Sequence, residues 1–507
     1  MSHRSLQFGA FAAMAFAGLG LCLSAETRPS DQDRGASGSL ASAPGASAAP
    51  ERERNLAFVK SFDEQNRAHF GTNANYMVRP GVLADRQVKS VRLWAEGTGT
   101  RDGDPVEFFL IAPNSGHDYE ALAVAFAKPS DIHDALVFIG LPAGSPVNVP
   151  QLQLWPKGER ARMTLRWKET GADGAEGPER VAAAEDLVFD KRTAKPLPVK
   201  GLVFTGSYRG PAPGDASHAV YAADVYGPNS IAADFNEPGT VLDVPRQAAQ
   251  STVYGQQIAN TQYHITKGQR LEVLIEPEYK DGKRRVKDLT LRASPAEAAK
   301  MRYAVSDASG KTLLPGDDWT EALTLFSSLV AQGHDPFITL QLDGGLSLAD
   351  CRRVCASAAS VEGEDGIRID PPPKGHPFYK SFLPEEKFRE RANRIVQPWE
   401  MHVAEQGGKL RVTLTLIEED WPEGQERPTL KPRDFETTTP EDVARVLREN
   451  SKTVPVMLIF APAELKYGAL LPYIQRVMET HPTLYVYLPP EKPAPPVAAP
   501  PPAAGTK

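Results

Sequence analysis

Residues 335–342 read Asp335-Pro336-Phe337-Ile338-Thr339-Leu340-Gln341-Leu342, and at an offset of 119 residues Val454-Pro455-Val456-Met457-Leu458-Ile459-Phe460 repeats the pattern. Both are short apolar runs opened by a proline, the signature of a buried strand. A helix-like run over 347–359 and then Gly366-Ile367-Arg368-Ile369 follow the first. A helix-like run over 466–479 and then Leu484-Tyr485-Val486-Tyr487-Leu488 follow the second. Each copy is therefore strand, helix, strand, and each runs into a Pro-Pro pair, Pro371-Pro372 and Pro489-Pro490. A repeat of this kind sets the architecture of the C-terminal half before any motif is read.

Working outward, Thr439-Pro440-Glu441-Asp442 opens a further helix in the second copy, with Thr439 as N-cap, proline at the first position and acids in the first turn. In the first copy Asp317-Asp318 opens a helix carrying Trp319, Ala322, Leu323, Phe326, Leu329 and Val330, and Gly333 closes it. Candidate strands precede each, at 301–305 in the first copy and at 401–404 and 410–417 in the second. The expected unit is a small sheet with two helices on one face, so that both apolar stripes are buried.

Superposing the copies also assigns the cysteines. Leu348, Cys351, Cys355 and Ala358 fall on Tyr467, Leu470, Ile474 and Val477, an amphipathic stripe extended by Leu471 and Met478. Cys351 and Cys355 are thus expected in the core, where free cysteine behaves as a small hydrophobe. A disulfide is the weaker alternative, because side chains four apart on a helix are poorly placed to bridge. A metal or redox pair is weaker still, with no second Cys or His pair nearby.

From 88 to 292 short β-rich runs bounded by Gly, Pro or Asp dominate, among them Val91-Arg92-Leu93-Trp94-Ala95, Met163-Thr164-Leu165-Arg166-Trp167 and Leu271-Glu272-Val273-Leu274-Ile275. One helix stands out, with Ser130 as N-cap candidate, Ile132, Ala135, Leu136 and Ile139 on one face, and Gly140 as its stop. The expected fold class is α+β multidomain: a strand-rich α+β N-terminal domain, then two small α/β modules, each with a sheet and two helices on one face.

The blocks His117-Asp118-Tyr119-Glu120-Ala121-Leu122, Lys128-Pro129-Ser130-Asp131-Ile132-His133-Asp134-Ala135-Leu136, Phe204-Thr205-Gly206-Ser207 and Tyr221-Ala222-Ala223-Asp224-Val225-Tyr226-Gly227 resemble the YdjY-like family of exported bacterial proteins. The resemblance covers about residues 73–292 and implies a domain label with no settled activity. Val454-Pro455-Val456-Met457-Leu458-Ile459, then Tyr467-Gly468 opening a helix through Ile474 and Met478, resemble the periplasmic domain of the ExbD/TolR family, more clearly in 399–490 than in the first copy. That family drives a proton-powered motor through an acid in an N-terminal transmembrane helix. The apolar stretch 8–23 here contains no acid, so the motor role does not carry over. What the resemblance implies is a small periplasmic module that binds partners or pairs with itself.

The first 25 residues read as a signal peptide: His3 and Arg4, an uncharged apolar stretch over 8–23, then Leu23-Ser24-Ala25. A retained anchor is the alternative, although the apolar stretch is short of the ~20 residues a span needs. The formal charge of −7 gives the chain no bulk electrostatic reason to bind nucleic acid or an anionic membrane. Ser, Ala, Gly and Pro dominate the following segment, and Pro and Ala the C-terminal tail. The expected organisation is signal peptide 1–25, disordered linker 26–56, YdjY-like domain 57–297, first module 298–372, Pro-rich linker and charged helix 373–398, second module 399–490 and disordered tail 491–507.

Chemistry is sparsely signalled. The chain has no G-x-x-x-x-G-K-[ST], G-x-S-x-G or H-E-x-x-H. His117, Glu120, His133 and Asp224 are the residues that would make a divalent metal site, since imidazole and carboxylate suit zinc. Against it, Asn114-Ser115-Gly116 reads as a turn into a strand, on which His117 and Glu120 would face opposite ways. Asp224, Asn229 and Asp234 bracket a turn, and ordinary turn chemistry explains them better than calcium. The leading expectation is a non-enzymatic, exported envelope binding or scaffolding protein without cofactor. Its partners would be an envelope protein or cell-wall component, with self-association through the repeats and membrane contact only if the leader is retained. A metal-dependent hydrolase using the four residues is the alternative, and an accessory of a proton-driven envelope complex the second.

Overall fold

The computed structural model describes residues 49–489 apart from 171–175, 198–200, 280–284, 298–299, 317, 363–365, 385–386, 388–398, 421–428 and 451–454. The expected signal peptide and C-terminal tail, and most of the charged helix, lie outside the described residues. The chain divides into two compact units. Of the described residues, one holds those within 288–328 and 338–489, the other those within 49–287 together with 329–337.

In the first half, eight strands close on themselves: β1 (Ser90–Gly97), β2 (Phe108–Ile111), β3 (Ala121–Ala125), β4 (Arg160–Thr170), β5 (Leu202–Phe204), β6 (Ser230–Ala233), β7 (Leu242–Asp243) and β8 (Arg270–Pro277). The order is β1-β8-β4-β5-β7-β6-β2-β3, and β3 returns to β1 with Ala95 opposite Ala125. This is an eight-stranded β-barrel. The barrel corrects the expected strand-rich α+β domain. Period-2 alternation marks each strand, and closure depends on which distant strands pair, which alternation does not encode. Inward residues such as Leu93, Leu110, Met163, Leu165, Val273 and Ile275 are buried in one continuous core.

Among the described residues, two helices of ten residues or more dress the barrel. Helix α1 (Ala49–Phe70) begins inside the segment expected to be disordered linker. Its Phe58 and Phe62 meet Trp94 edge-on, at 4.7 and 5.9 Å between ring centroids. Helix α2 (Pro129–Phe138) buries Ile132, Ala135 and Leu136, as their spacing predicts. Complete burial of Ile132 and Leu136 stabilises it by about 1.5–3 kcal/mol each. The helix starts two residues earlier than its sequence signals indicate: Lys128 is the N-cap and Pro129 opens the helix, so Ser130 lies in the first turn.

Among the described residues, the second half forms two sheets. The first has the order β11-β10-β9-β12-β13, formed by β9 (Val286–Pro295), β10 (Met301–Asp307), β11 (Thr312–Leu314), β12 (Asp335–Leu342) and β13 (Arg368–Ile369). The second has the order β14-β19-β18-β15-β16-β17, formed by β14 (Phe382–Pro384), β15 (Trp399–Gln406), β16 (Lys409–Asp420), β17 (Thr429–Thr437), β18 (Val456–Phe460) and β19 (Thr483–Leu488). Helices α3 (Trp319–Ala331) and α4 (Leu348–Val361) belong to the first copy, α5 (Pro440–Glu449) and α6 (Tyr467–Met478) to the second.

Two self-standing modules, each a sheet with two helices on one face, do not describe this half, which is a single compact unit. The stretch expected as a Pro-rich linker buries Phe378, Tyr379 and Phe382. Its β14 extends the second sheet in parallel to β19, with Phe382 opposite Val486. Helix α4 of the first copy packs on that strand and on the turn Tyr379–Ser381 before it. The first sheet also takes in β9, which begins before residue 298. Hydrophobic periodicity identifies each element and is silent on which copy it packs against.

The copies meet through their helix entries in a reciprocal pattern. The Leu348 N–H donates to Leu465 O at 2.9 Å, and the Tyr467 N–H donates to Leu346 O at 2.8 Å. Under the repeat offset these two bonds exchange. So do Ala349 N–H to Ala463 O and Gly468 N–H to Gly344 O, both 2.9 Å. Ser347 and Lys466, which are equivalent, form an antiparallel bridge with each other. The backbones meet closely because a Cβ on Gly468 would stand 3.0 Å from Gly344 O and 3.1 Å from its Cα. The two copies are thus paired about a local two-fold within one chain.

Candidate functional site

The barrel places polar groups in two clusters. The first lies where β2 and β3 begin and β6 ends, three neighbouring strands, so that Glu107, Glu120 and Asp234 stand in a row at one end of the barrel. The Glu107 N–H donates to Glu120 O at 2.9 Å and the Asp234 N–H to Glu107 O at 3.0 Å. The Glu107 side chain is 1% exposed and both its oxygens accept from Gln250 Nε2 at 2.9 Å. Burial pushes its carboxyl up to about 7, Gln250 opposes that rise, and the charge of Glu120 adds to it. Asp234 and Asp243, both fully buried, are raised well above the ordinary carboxylate range by burial. Gln257 lies between Asp234 and Arg246, and with its amide turned so that the nitrogen faces Asp234 and the oxygen Arg246 it donates to the first and accepts from the second.

His117 and Glu120 belong to this cluster. The residues between them form a 3-10 turn, Asp118–Glu120, and not the strand that the preceding Asn-Ser-Gly indicates. The turn brings His117 Nδ1 to 2.6 Å from Glu120 Oε1. The Glu120 side chain is buried and His117 remains half-exposed.

The second cluster surrounds the start of α2 and holds the other two candidates. Asp224 lies in the short helix Ala222–Val225, and its Oδ1 accepts the Ser130 N–H at 3.0 Å, serving an N–H that the helix leaves open. His133 packs between Phe204 and Tyr221, at 5.5 and 5.0 Å, with Nδ1 3.2 Å from Asp134 Oδ1. Beside them opens a cleft of about 550 Å³, with Pro80, Pro113, Phe126 and Ala127 as apolar lining and Arg79, Lys128, Asp131 and Asp134 as charged lining. Arg79 Nε stands 3.8 Å from Asp131 Oδ1. Burial raises the Asp131 carboxyl, opposed by Arg79 and Lys128.

The four metal candidates therefore separate into two hydrogen-bonded settings, His117 with Glu120 and Asp224 with α2, and His133 pairs with Asp134. Among the described residues, no group of three or more His, Cys, Asp or Glu side chains is arranged to hold a metal ion. Asn229 donates its Nδ2 to Ala223 O at 3.2 Å, serving the turn backbone. Sequence reading missed Glu107, Asp243, Gln250 and Gln257, and took Asp234, which is fully buried, for a turn residue. The one local signal was Glu107 immediately before the wholly apolar run Phe108–Ile111. Of the cleft's charged lining, Lys128, Asp131 and Asp134 lay inside a block that sequence reading quoted for its resemblance, and Arg79 lay outside every quoted block.

Cys351 and Cys355 are free and buried on α4, beside Leu348, Val354 and Ala358. Burial pushes the Cys351 thiol up to about 12 and that of Cys355 well above its ordinary value, which removes the thiolate that redox or metal chemistry needs. Near them His376 Nδ1 lies 3.0 Å from the hydroxyl of Tyr467, beside a cavity of about 20 Å³, room for one water molecule.

No family model and no curated protein matches the chain. Among solved structures, the prototype foamy virus protease-reverse transcriptase is 8% identical over 40% of this chain and 35% of that one, with a TM-score of 0.12. A likeness that slight carries no argument about fold or role.

Proposed function

We propose that this chain is an exported, non-catalytic binding or scaffolding protein of the cell envelope, with a YdjY-like barrel region followed by two ExbD/TolR-like copies. The observation that carries the reading is the reciprocal pairing of the copies, Leu348 to Leu465 and Tyr467 to Leu346. A module that would otherwise pair with a second chain has its partner built in, and such a fused pair is a rigid platform rather than a reaction centre. His117 with Glu120, His133 with Asp134 and Asp224 with the Ser130 N–H are each engaged in local hydrogen bonds, as structural pairings are. The partner is an envelope protein or cell-wall component.

A tagged full-length chain tests this in its native host. It fractionates with the envelope, begins near Ala25, and retains the same cross-linked partners through stringent washing. Gly468→Val, which forces the copies apart, loses those partners while the barrel stays folded by limited proteolysis. Recovery in the cytoplasm, or partners unchanged by Gly468→Val, rejects the proposal.

A further inference from the structure

We propose that the cleft beside the first turn of α2 is a binding site for a short zwitterionic peptide, with its ammonium group toward Asp131 and Asp134 and its carboxylate toward Arg79 and Lys128. The inference stands on the barrel alone and is independent of the cellular role proposed above.

The cleft has a volume of about 550 Å³, within the range of small-molecule sites. Its lining carries two cations, Arg79 and Lys128, and two carboxylates, Asp131 and Asp134, over an apolar surface of Pro80, Pro113, Phe126 and Ala127. The charges sum to zero, so a ligand of one sign meets as much repulsion as attraction. A ligand carrying both signs satisfies both walls, and the apolar surface suits the side chains between its ends. A nucleotide or sugar phosphate would set two or more negative charges against Asp131 and Asp134.

The helix N-terminus does not capture the anion here. Pro129 has no N–H, and the N–H of Ser130 is already given to Asp224. The ligand carboxylate therefore falls to side chains. Arg79 stands 3.8 Å from Asp131, beyond hydrogen-bond length, so its guanidinium keeps donors for a carboxylate. Lys128 is exposed at the N-cap. On the other wall, Asp131 is held largely out of water, and a ligand ammonium adds a counter-charge to that supplied by Arg79.

Titration calorimetry on the full chain with trialanine, N-acetyl-trialanine and trialanine amide tests the assignment. Trialanine saturates one site, and removing either terminal charge weakens binding at least about tenfold. Lys128→Gln weakens trialanine to a similar degree and leaves the amide unchanged, because that ligand has no carboxylate to lose. Asp134→Asn weakens trialanine and leaves the N-acetyl form unchanged, the coupling pattern of a direct contact. Both side chains are exposed, so both variants fold, as melting curves equal to the parent's verify. The proposal is overturned by no saturable binding up to about 5 mM. Equal affinity for the three ligands, or variants that weaken all three alike, overturn it as well.

Discussion

Replacing Glu185 by Gln stabilises the barrel at alkaline pH and does almost nothing at acid pH. Glu185 lies in the 3-10 turn Ala184–Leu187, is 3% exposed, and both carboxylate oxygens are sealed from solvent. Burial is the main reason its carboxyl ionises near 7 instead of 4.5; Asp186 and Glu278 add to the rise, while its own backbone N–H and Arg162 oppose it. Between those two values the folded state keeps the proton that the unfolded chain has released. Stability therefore falls as pH rises from 4.5 to about 7, and the whole penalty is present above 7. The interval is worth roughly 3 kcal/mol. For a unit of this size that is about 6–12 °C in melting temperature. Urea and thermal unfolding of parent and Glu185→Gln at pH 5 and pH 8.5, followed by tryptophan fluorescence, measure it. A gain at pH 8.5 no larger than at pH 5 refutes the claim that the buried charge is the cause.

Three further outcomes follow from particular contacts. Ser347→Ala removes a capping box in which Ser347 and Asp350 each serve the other's backbone N–H, and lowers the stability of the repeat unit by about 1 kcal/mol in urea. Asp224→Ala leaves the Ser130 N–H without its acceptor and lowers barrel stability by about 1 kcal/mol, with hydrogen exchange at the start of α2 speeding up more than at β1. Glu107→Gln raises stability progressively as pH increases from 4.5 to about 7, since Glu107 keeps its proton longer in the folded state; a pH-independent change would place the effect in packing.

Local signals carried far in this chain and stopped where long-range pairing begins. The N-cap at Thr439 reads directly from Thr-Pro-Glu-Asp, and its hydroxyl accepts the Asp442 N–H at 3.1 Å. The stripe Leu348, Cys351, Cys355 and Ala358 is buried as its spacing indicates. The barrel was not legible, because closure rests on Ala95 meeting Ala125, and no local pattern marks two alanines as partners. The row Glu107, Glu120 and Asp234 is assembled by the same long-range pairings. His117 and Glu120 do meet, through a 3-10 turn that the preceding glycine conceals. The packing of α4 on β14 was hidden for another reason: proline-rich sequence reads as linker, while Phe378, Tyr379 and Phe382 are the buried groups.

The local two-fold has a consequence for divergence. Two copies encoded separately must each remain able to meet an identical surface, so a change in one appears twice at the contact. Copies joined in one chain hold each other at a local concentration set by the tether, of order millimolar or above, however dilute the protein is. Each half can then change alone. Cysteine stands at 351 and 355 where leucine and isoleucine stand at 470 and 474, and β14 is added to one sheet only. Such a pair can present an asymmetric surface, which an association of identical chains, bound by its own symmetry, cannot.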